Sequence, residues 1–319
     1  MKIRLLLVAT SENLVFCWVR GHLARIFQQD ACETPAYPGV FGACLVFLLV
    51  FPGMVYCQQR PMKTDDASLL PVGWLRVEMG AEFLQRQRYG LSGLEGNLTR
   101  GAAAIGVGVG EYAEFQISGV FQEVLSISGR TEPVVEPVIS GDSTRSVGNL
   151  TLGTKLKLIG EKDRRPATAF RFAVELPNAS QASGLANDET AFYADLLFGK
   201  NIGRIRALAN IGFAILGSPL IAGRQTDPLT YGVAIIMPAR RQLNLIAEIS
   251  GRQGPKRRVG NENKSQIRAG IQLLTGVIRW DIGAVAGFTP YDSRSGIVAG
   301  ATYEFQAFNK NGLPVKIRQ

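Results

Sequence analysis

Two carboxylates four residues apart, Glu78 and Glu82, are the first pair in this 319-residue chain that could do acid–base chemistry. Two acids on one face can divide into proton donor and base when their surroundings separate their pKa values. Strand side chains share a face at period two, so a strand here would carry both acids on one side. The same period extends the series far beyond a pair. Arg76, Glu78, Glu82, Lys155, Lys157, Arg171, Glu175, Asp195, Arg206, Glu248, Arg268, Arg279 and Asp281 all stand opposite apolar residues in alternating stretches, as do Glu114, Arg204 and Glu304. Mixed charge in such a series suits salt bridges that hold register, or a lining that selects solutes. Catalysis is the less favoured use.

Other chemistry is excluded by position. The single histidine, His22, and the four cysteines, Cys17, Cys32, Cys44 and Cys57, lie in the first 57 residues. The rest of the chain cannot assemble a Ser–His or Cys–His nucleophile, a disulfide framework or a Cys/His metal site. The glycines of GVGVG (106–110) fall inside an alternating stretch, not between a strand and a helix, so they form no phosphate loop. No catalytic residue, cofactor or metal site is assigned. The net charge of +9 raises nucleic-acid binding. Its clusters, Arg164-Arg165, Arg240-Arg241 and Lys256-Arg257-Arg258, fall in separate turns and not on one face. Anionic lipid head groups, including lipopolysaccharide, fit that scatter better.

The elements that position these charges are clearest near the C-terminus. Trp280, Ile282, Ala284, Ala286 and Phe288 alternate with Asp281, Gly283, Val285 and Gly287; after PYDSRSG, Ile297, Ala299, Ala301, Tyr303 and Phe305 alternate with Val298, Gly300, Thr302 and Glu304. Each strand has an apolar face with aromatics near its ends, the pattern of lipid outside and a polar interior. The unit recurs from Leu75–Phe83 onward, giving about twelve strands, most near the nine to eleven residues that cross a bilayer at a tilt. Long and short connections alternate strictly. A soluble sandwich has no reason to sort its loops by length, whereas a bacterial outer-membrane barrel has short periplasmic turns and long external loops. The fold expected is all-β: a transmembrane antiparallel barrel of about 12 strands, closed by pairing its last strand with Leu75–Phe83 so that no edge faces hydrocarbon. Such a barrel is wide enough for a slender or a plugged channel.

Four segments are expected. Residues 1–57 form an N-terminal extension carrying a cleavable signal in the apolar run Gly39–Tyr56, with residues 1–36 not part of the native start. Residues 58–72 form a periplasmic linker, 73–306 the barrel and 307–319 a short tail. Pairing across the short turns places Asp281 near Arg268 or Arg279, and Asp195 near Arg206.

Several stretches resemble one family. IGVGVGEYAEFQIS (105–118), VGNLTLGTKLKLIGE (147–161), YGVAIIMPARRQLNLIAEISG (231–251) and RWDIGAVAGFT…GIVAGATYEF (279–305) are similar to the outer-membrane barrels associated with the phenol meta-cleavage pathway, a family of transporters. Asn149 departs from that pattern, standing where an acidic residue is expected. The resemblance implies a channel or facilitator for uptake of small molecules, hydrophobic or aromatic ones among them, and supplies no catalytic residues. Tyr303 and Phe305 resemble the terminal aromatic signal read by the barrel-insertion machinery. A non-conducting structural or surface-interaction barrel and a soluble secreted β-sandwich are the alternatives. If the inner charges mainly hold register, Asp281→Asn lowers heat stability and leaves single-channel conductance unchanged; altered conductance at unchanged stability would assign Asp281 to solute selection.

Overall fold

Alternation in the sequence becomes inside and outside in the structure. The computed structural model describes residues 62–254 and 259–308. Its strands are β1 (Trp74–Arg88), β2 (Leu94–Gly108), β3 (Ala113–Arg130), β4 (Ser143–Ser146), β5 (Leu150–Ile159), β6 (Ala167–Leu176), β7 (Ala191–Ile202), β8 (Ile205–Gly217), β9 (Gln225–Thr226), β10 (Leu229–Arg240), β11 (Leu243–Gln253), β12 (Lys264–Thr275), β13 (Ile278–Gly287) and β14 (Ser295–Gln306). Twelve of them close an antiparallel barrel, while β4 pairs only with β3 and β9 only with β8. The seam joins β1 to β14 from Trp74↔Gln306 to Gln85↔Ser295. Closure leaves no unpaired edge in the wall, which hydrocarbon would not tolerate.

The outer surface is an apolar belt. Met79, Ile105, Phe115, Phe213, Val233 and Trp280 are all exposed on it. An apolar surface that runs right round a molecule is a lipid-facing one. At the seam Tyr303 is exposed and its ring stacks on Phe305 at 5.1 Å. The opposite faces of the same strands bury Arg76, Glu78, Glu114 and Lys155 almost completely.

Two expectations are corrected. The first strand, expected over Leu75–Phe83, runs on to Arg88: β1 and β2 extend to a connection of only residues 89–93, and β3 runs to Arg130. Beyond the belt the pattern inverts: Leu84, Leu94, Leu98 and Leu125 form a buried apolar cluster while Arg86, Arg88, Asn97 and Ser126 are exposed, so the outward-apolar alternation that marks a lipid-facing strand disappears. Bulges in the β1–β2 and β2–β3 pairings also shift the period. The second correction concerns the linker. Residues 62–72 do not hang from the barrel; they form a strap packed against its inner wall, with Met62, Thr64, Asp65, Asp66, Ala67 and Leu70 buried. The signal segment and the expected non-native start, the basic cluster at 256–258 and most of the tail lie outside the described residues.

Gly73 is where the strap turns into the wall. Its φ is +80°, and its carbonyl accepts hydrogen bonds from the Ala307 and Phe308 amides. A Cβ there would run into the Phe308 carbonyl oxygen, whereas one at Gly110 meets open space. Gly73→Val is therefore expected to cost about 1–3 kcal/mol and lower the thermal unfolding midpoint, with Gly110→Val near neutral in the same melt. Equal midpoints for both variants would contradict this.

Candidate functional site: a lumen filled by the chain's own strap

The strap supplies what the wall lacks. Glu248 on β11 accepts the amides of Lys63 (2.8 Å) and Thr64 (2.7 Å). Asp65 meets Arg171 at 3.4 Å and Lys155 at 3.6 Å, and the Asn210 amide on β8, turned so that its oxygen faces the Asp65 N–H and its nitrogen the Asp65 C=O, satisfies both. Asp66 takes a two-pronged contact from Arg206, at 2.7 and 3.1 Å. Lys155 donates to the Asp66 and Ser68 carbonyls, and the Leu70 amide donates to Glu114. Apolar groups fill the rest. Met62 enters a pocket of Leu208, Ala234, Ile236 and Ile246, and Ala67 packs with Ala169 and Leu197. Two glycines make room: a Cβ on Gly232 would meet the Thr64 hydroxyl, and one on Gly108 the Pro71 carbonyl.

Charge pairing continues round the wall. Arg76 holds Glu304 at 2.8 Å and lies 3.7 Å from Glu78 and Glu114. Arg268 bonds Glu82 at 3.1 Å and faces Glu248. Arg100 links Glu123 (2.7 Å) to Glu82 (3.7 Å). Such buried pairs are costly to break because the abandoned partner stays desolvated. At the short-turn rim Arg206 also bonds Glu161 at 2.6 Å. Partial burial alone would raise Glu161, but hydrogen bonds from the Asn201 amide, Arg206 and Lys200 outweigh it and hold the carboxyl below its ordinary value.

Most of the charges singled out in the sequence face this interior. Glu175 accepts hydrogen bonds from Asn149 and Tyr193, and Arg279 donates to Thr302. Asp281 is buried and lines the same cavity as Arg268. Lys157 is exposed near the short-turn end. The expected Asp195–Arg206 pair does not form. Register sets Asp195 opposite Arg171 and Arg206 opposite Asn201, and the strap's Asp66 takes Arg206. The partners missed in the sequence are strap residues, and one signal pointed to them. Val233-Ala234-Ile235-Ile236-Met237 on β10 is apolar on both faces, which a wholly water-lined lumen would not favour.

Two cavities remain beside the strap. The inner, about 260 Å³, is lined by Arg76, Glu78, Gln116, Arg171, Arg268 and Asp281 among others; the outer, about 390 Å³, lies beneath the long connections. Both touch Arg100, Ala102, Ser118, Val120 and Thr151. The β2–β3–β5 face carries small side chains, and this is where the lumen stays open.

A closed twelve-stranded barrel with an apolar belt and a charged, strap-filled interior defines a transmembrane β-barrel of the bacterial outer-membrane type. No protein-family model and no curated relative matches the sequence. Among solved structures the chain is similar to the COG4313 outer membrane channel from Pseudomonas putida F1, with 12% identity and a TM-score of 0.55 over 75% of this chain and 98% of that one. The translocator domain of the autotransporter NalP from Neisseria meningitidis is more remote, with 11% identity and a TM-score of 0.43 over 74% and 90% of the two chains. The first of these likenesses establishes the fold.

Glu248→Ala removes the acceptor of two strap amides and a partner of Arg268. Loss of a buried hydrogen-bonded carboxylate costs about 3 kcal/mol, so trypsin cleavage after Lys63 in the folded barrel should rise at least tenfold. An unchanged cleavage rate would mean that Glu248 does not anchor the strap.

Proposed function

We propose that the protein is an outer-membrane channel for passive or facilitated uptake of small organic molecules, closed at rest by residues 62–72. The long connections face outward and the short turns and the strap's entry face the periplasm. The observation that carries this reading is the pair of cavities that meet at Arg100, too small together for free flow yet sharing the small-residue lining Ala102, Ser118 and Thr151 of β2, β3 and β5. A barrel built only as a scaffold would gain stability by filling that space with packed side chains.

The sequence resemblance to the phenol meta-cleavage family supports hydrophobic or aromatic solutes. The similar barrel from Pseudomonas putida F1 is an outer membrane channel, which supports transport over catalysis. So does a lumen whose carboxylates are spent on ion pairs and strap amides. In this reading the inward charges picked out in the sequence stand along the solute's route, and Tyr303 and Phe305 address the chain to the barrel-insertion machinery. Lipopolysaccharide and phospholipid surround the belt.

Planar-bilayer recording tests it. The intact barrel is expected to show small, infrequent openings, and Asp66→Ala combined with Glu248→Ala at least a fivefold greater mean current. No current from either protein, with both running as folded barrels on unheated gels, would sink the channel reading and favour a non-conducting surface barrel.

A further inference from the structure

Most interior cations in the barrel make an ion pair with a carboxylate, but two neighbours in the outer cavity make none among the described residues. Arg252 and Lys264 are directly opposed partners on β11 and β12 and both line that cavity. The Arg252 Nε donates to the Glu262 carbonyl at 3.0 Å, which leaves the two terminal nitrogens of its guanidinium without a partner among the described residues. The Lys264 ammonium, half-buried, makes neither an ion pair nor a hydrogen bond among the described residues. The acids nearby are otherwise engaged. Glu123 holds Arg100 and Glu175 takes Asn149 and Tyr193. Glu262 and Asp292 attract Lys264 without pairing with it: Glu262 accepts the Gly260 amide, and Asp292 accepts the Ser265 and Thr289 amides and the Thr289 hydroxyl. Glu189 lines the cavity beside Gly217.

Like charges directly opposed on adjacent strands destabilise a sheet, and enclosure strengthens the repulsion. The arrangement is stable against that cost when an anion sits between them. A guanidinium fork beside an ammonium matches a carboxylate, with two parallel N–H···O bonds from arginine and a third from lysine. The remaining wall is not purely polar. Tyr89, Leu91, Tyr193, Leu185 and Leu216 give the cavity flat and apolar surfaces, and about 390 Å³ falls within the range of small-molecule sites.

We propose that the outer cavity is a recognition site for small organic carboxylates with an apolar body, the carboxylate held by Arg252 and Lys264 and the body lying against the tyrosines. This rests on the channel reading for its role, as the site where a solute waits above the Arg100 junction, but binding can be measured without conduction.

The test is calorimetry on the full-length barrel in detergent, with benzoate as probe and benzyl alcohol as its uncharged counterpart. Benzoate should bind at least tenfold more tightly than benzyl alcohol. Arg252→Gln combined with Lys264→Gln should weaken benzoate at least tenfold and leave benzyl alcohol unchanged. If the double variant fails to fold, Arg252→Lys serves instead: it keeps the charge, removes the fork and should weaken benzoate about threefold or more. Equal affinity for the two probes, benzoate binding unaltered in the variants, or no benzoate binding to the folded protein would each overturn the assignment. Benzoate bound by a barrel that carries no current would overturn the channel reading alone.

Discussion

Charges enclosed by an apolar wall must find their partners inside that wall. Every other feature of this molecule follows from that constraint. Hydrocarbon outside forces the strands to close and turns their apolar faces outward, so the charged faces have nowhere to point but in. Inside, water is scarce where the strap runs, and the wall's own register does not pair every charge. Arg171, Lys155 and Arg206 each take a carboxylate from Asp65 or Asp66, and Glu248 and Glu114 are satisfied by strap amides. The strap completes the electrostatics of the barrel as much as it fills the space.

Small residues decide where the strap lies and where it does not. Gly232 admits the Thr64 side chain and Gly108 the strap backbone at Pro71, and Ala234 and Ala169 form shallow seats for Met62 and Ala67. On the β2–β3–β5 side, Ala102, Ser118 and Thr151 leave space that the strap does not enter, and both cavities open onto that face. The wall is thus shaped for two occupants. One is part of the chain, held by charges; the other is the proposed solute, for which the remaining cavities leave room beside Arg252 and Lys264.

The barrel was legible in the sequence because lipid imposes a strict period of two. The hairpin from Ile278 to Phe305 shows it plainly, and its outward Trp280 and inward Asp281 fall as that period requires. Legibility ended where the period lost its physical cause. Past Leu84 the outer face turns polar while Leu94, Leu98 and Leu125 pack inside, and bulges shift the phase, so the strand expected over Leu75–Phe83 is shorter than the strand that forms. The strap was invisible for a different reason. KTDDAS is polar enough to pass for a linker, and its burial depends on partners more than a hundred residues away, such as Arg206 and Glu248. Pairing failed likewise for Asp195 and Arg206, because proximity across a turn does not reveal a third partner entering from the N-terminus.

In the proposed channel the strap must leave its seat for the lumen to open. A reversible lock addresses it directly. The Cβ of a residue at 232 would lie 3.4 Å from the Thr64 Cβ, close to the separation of roughly 3.5–4.5 Å that a disulfide spans. Single-channel recording of the Thr64→Cys, Gly232→Cys protein, before and after reduction, is the measurement. A closed barrel is expected when the bond is oxidised, with openings that return when it is reduced. Equal conductance in both states would contradict it, and would show that solutes pass beside a strap that never moves.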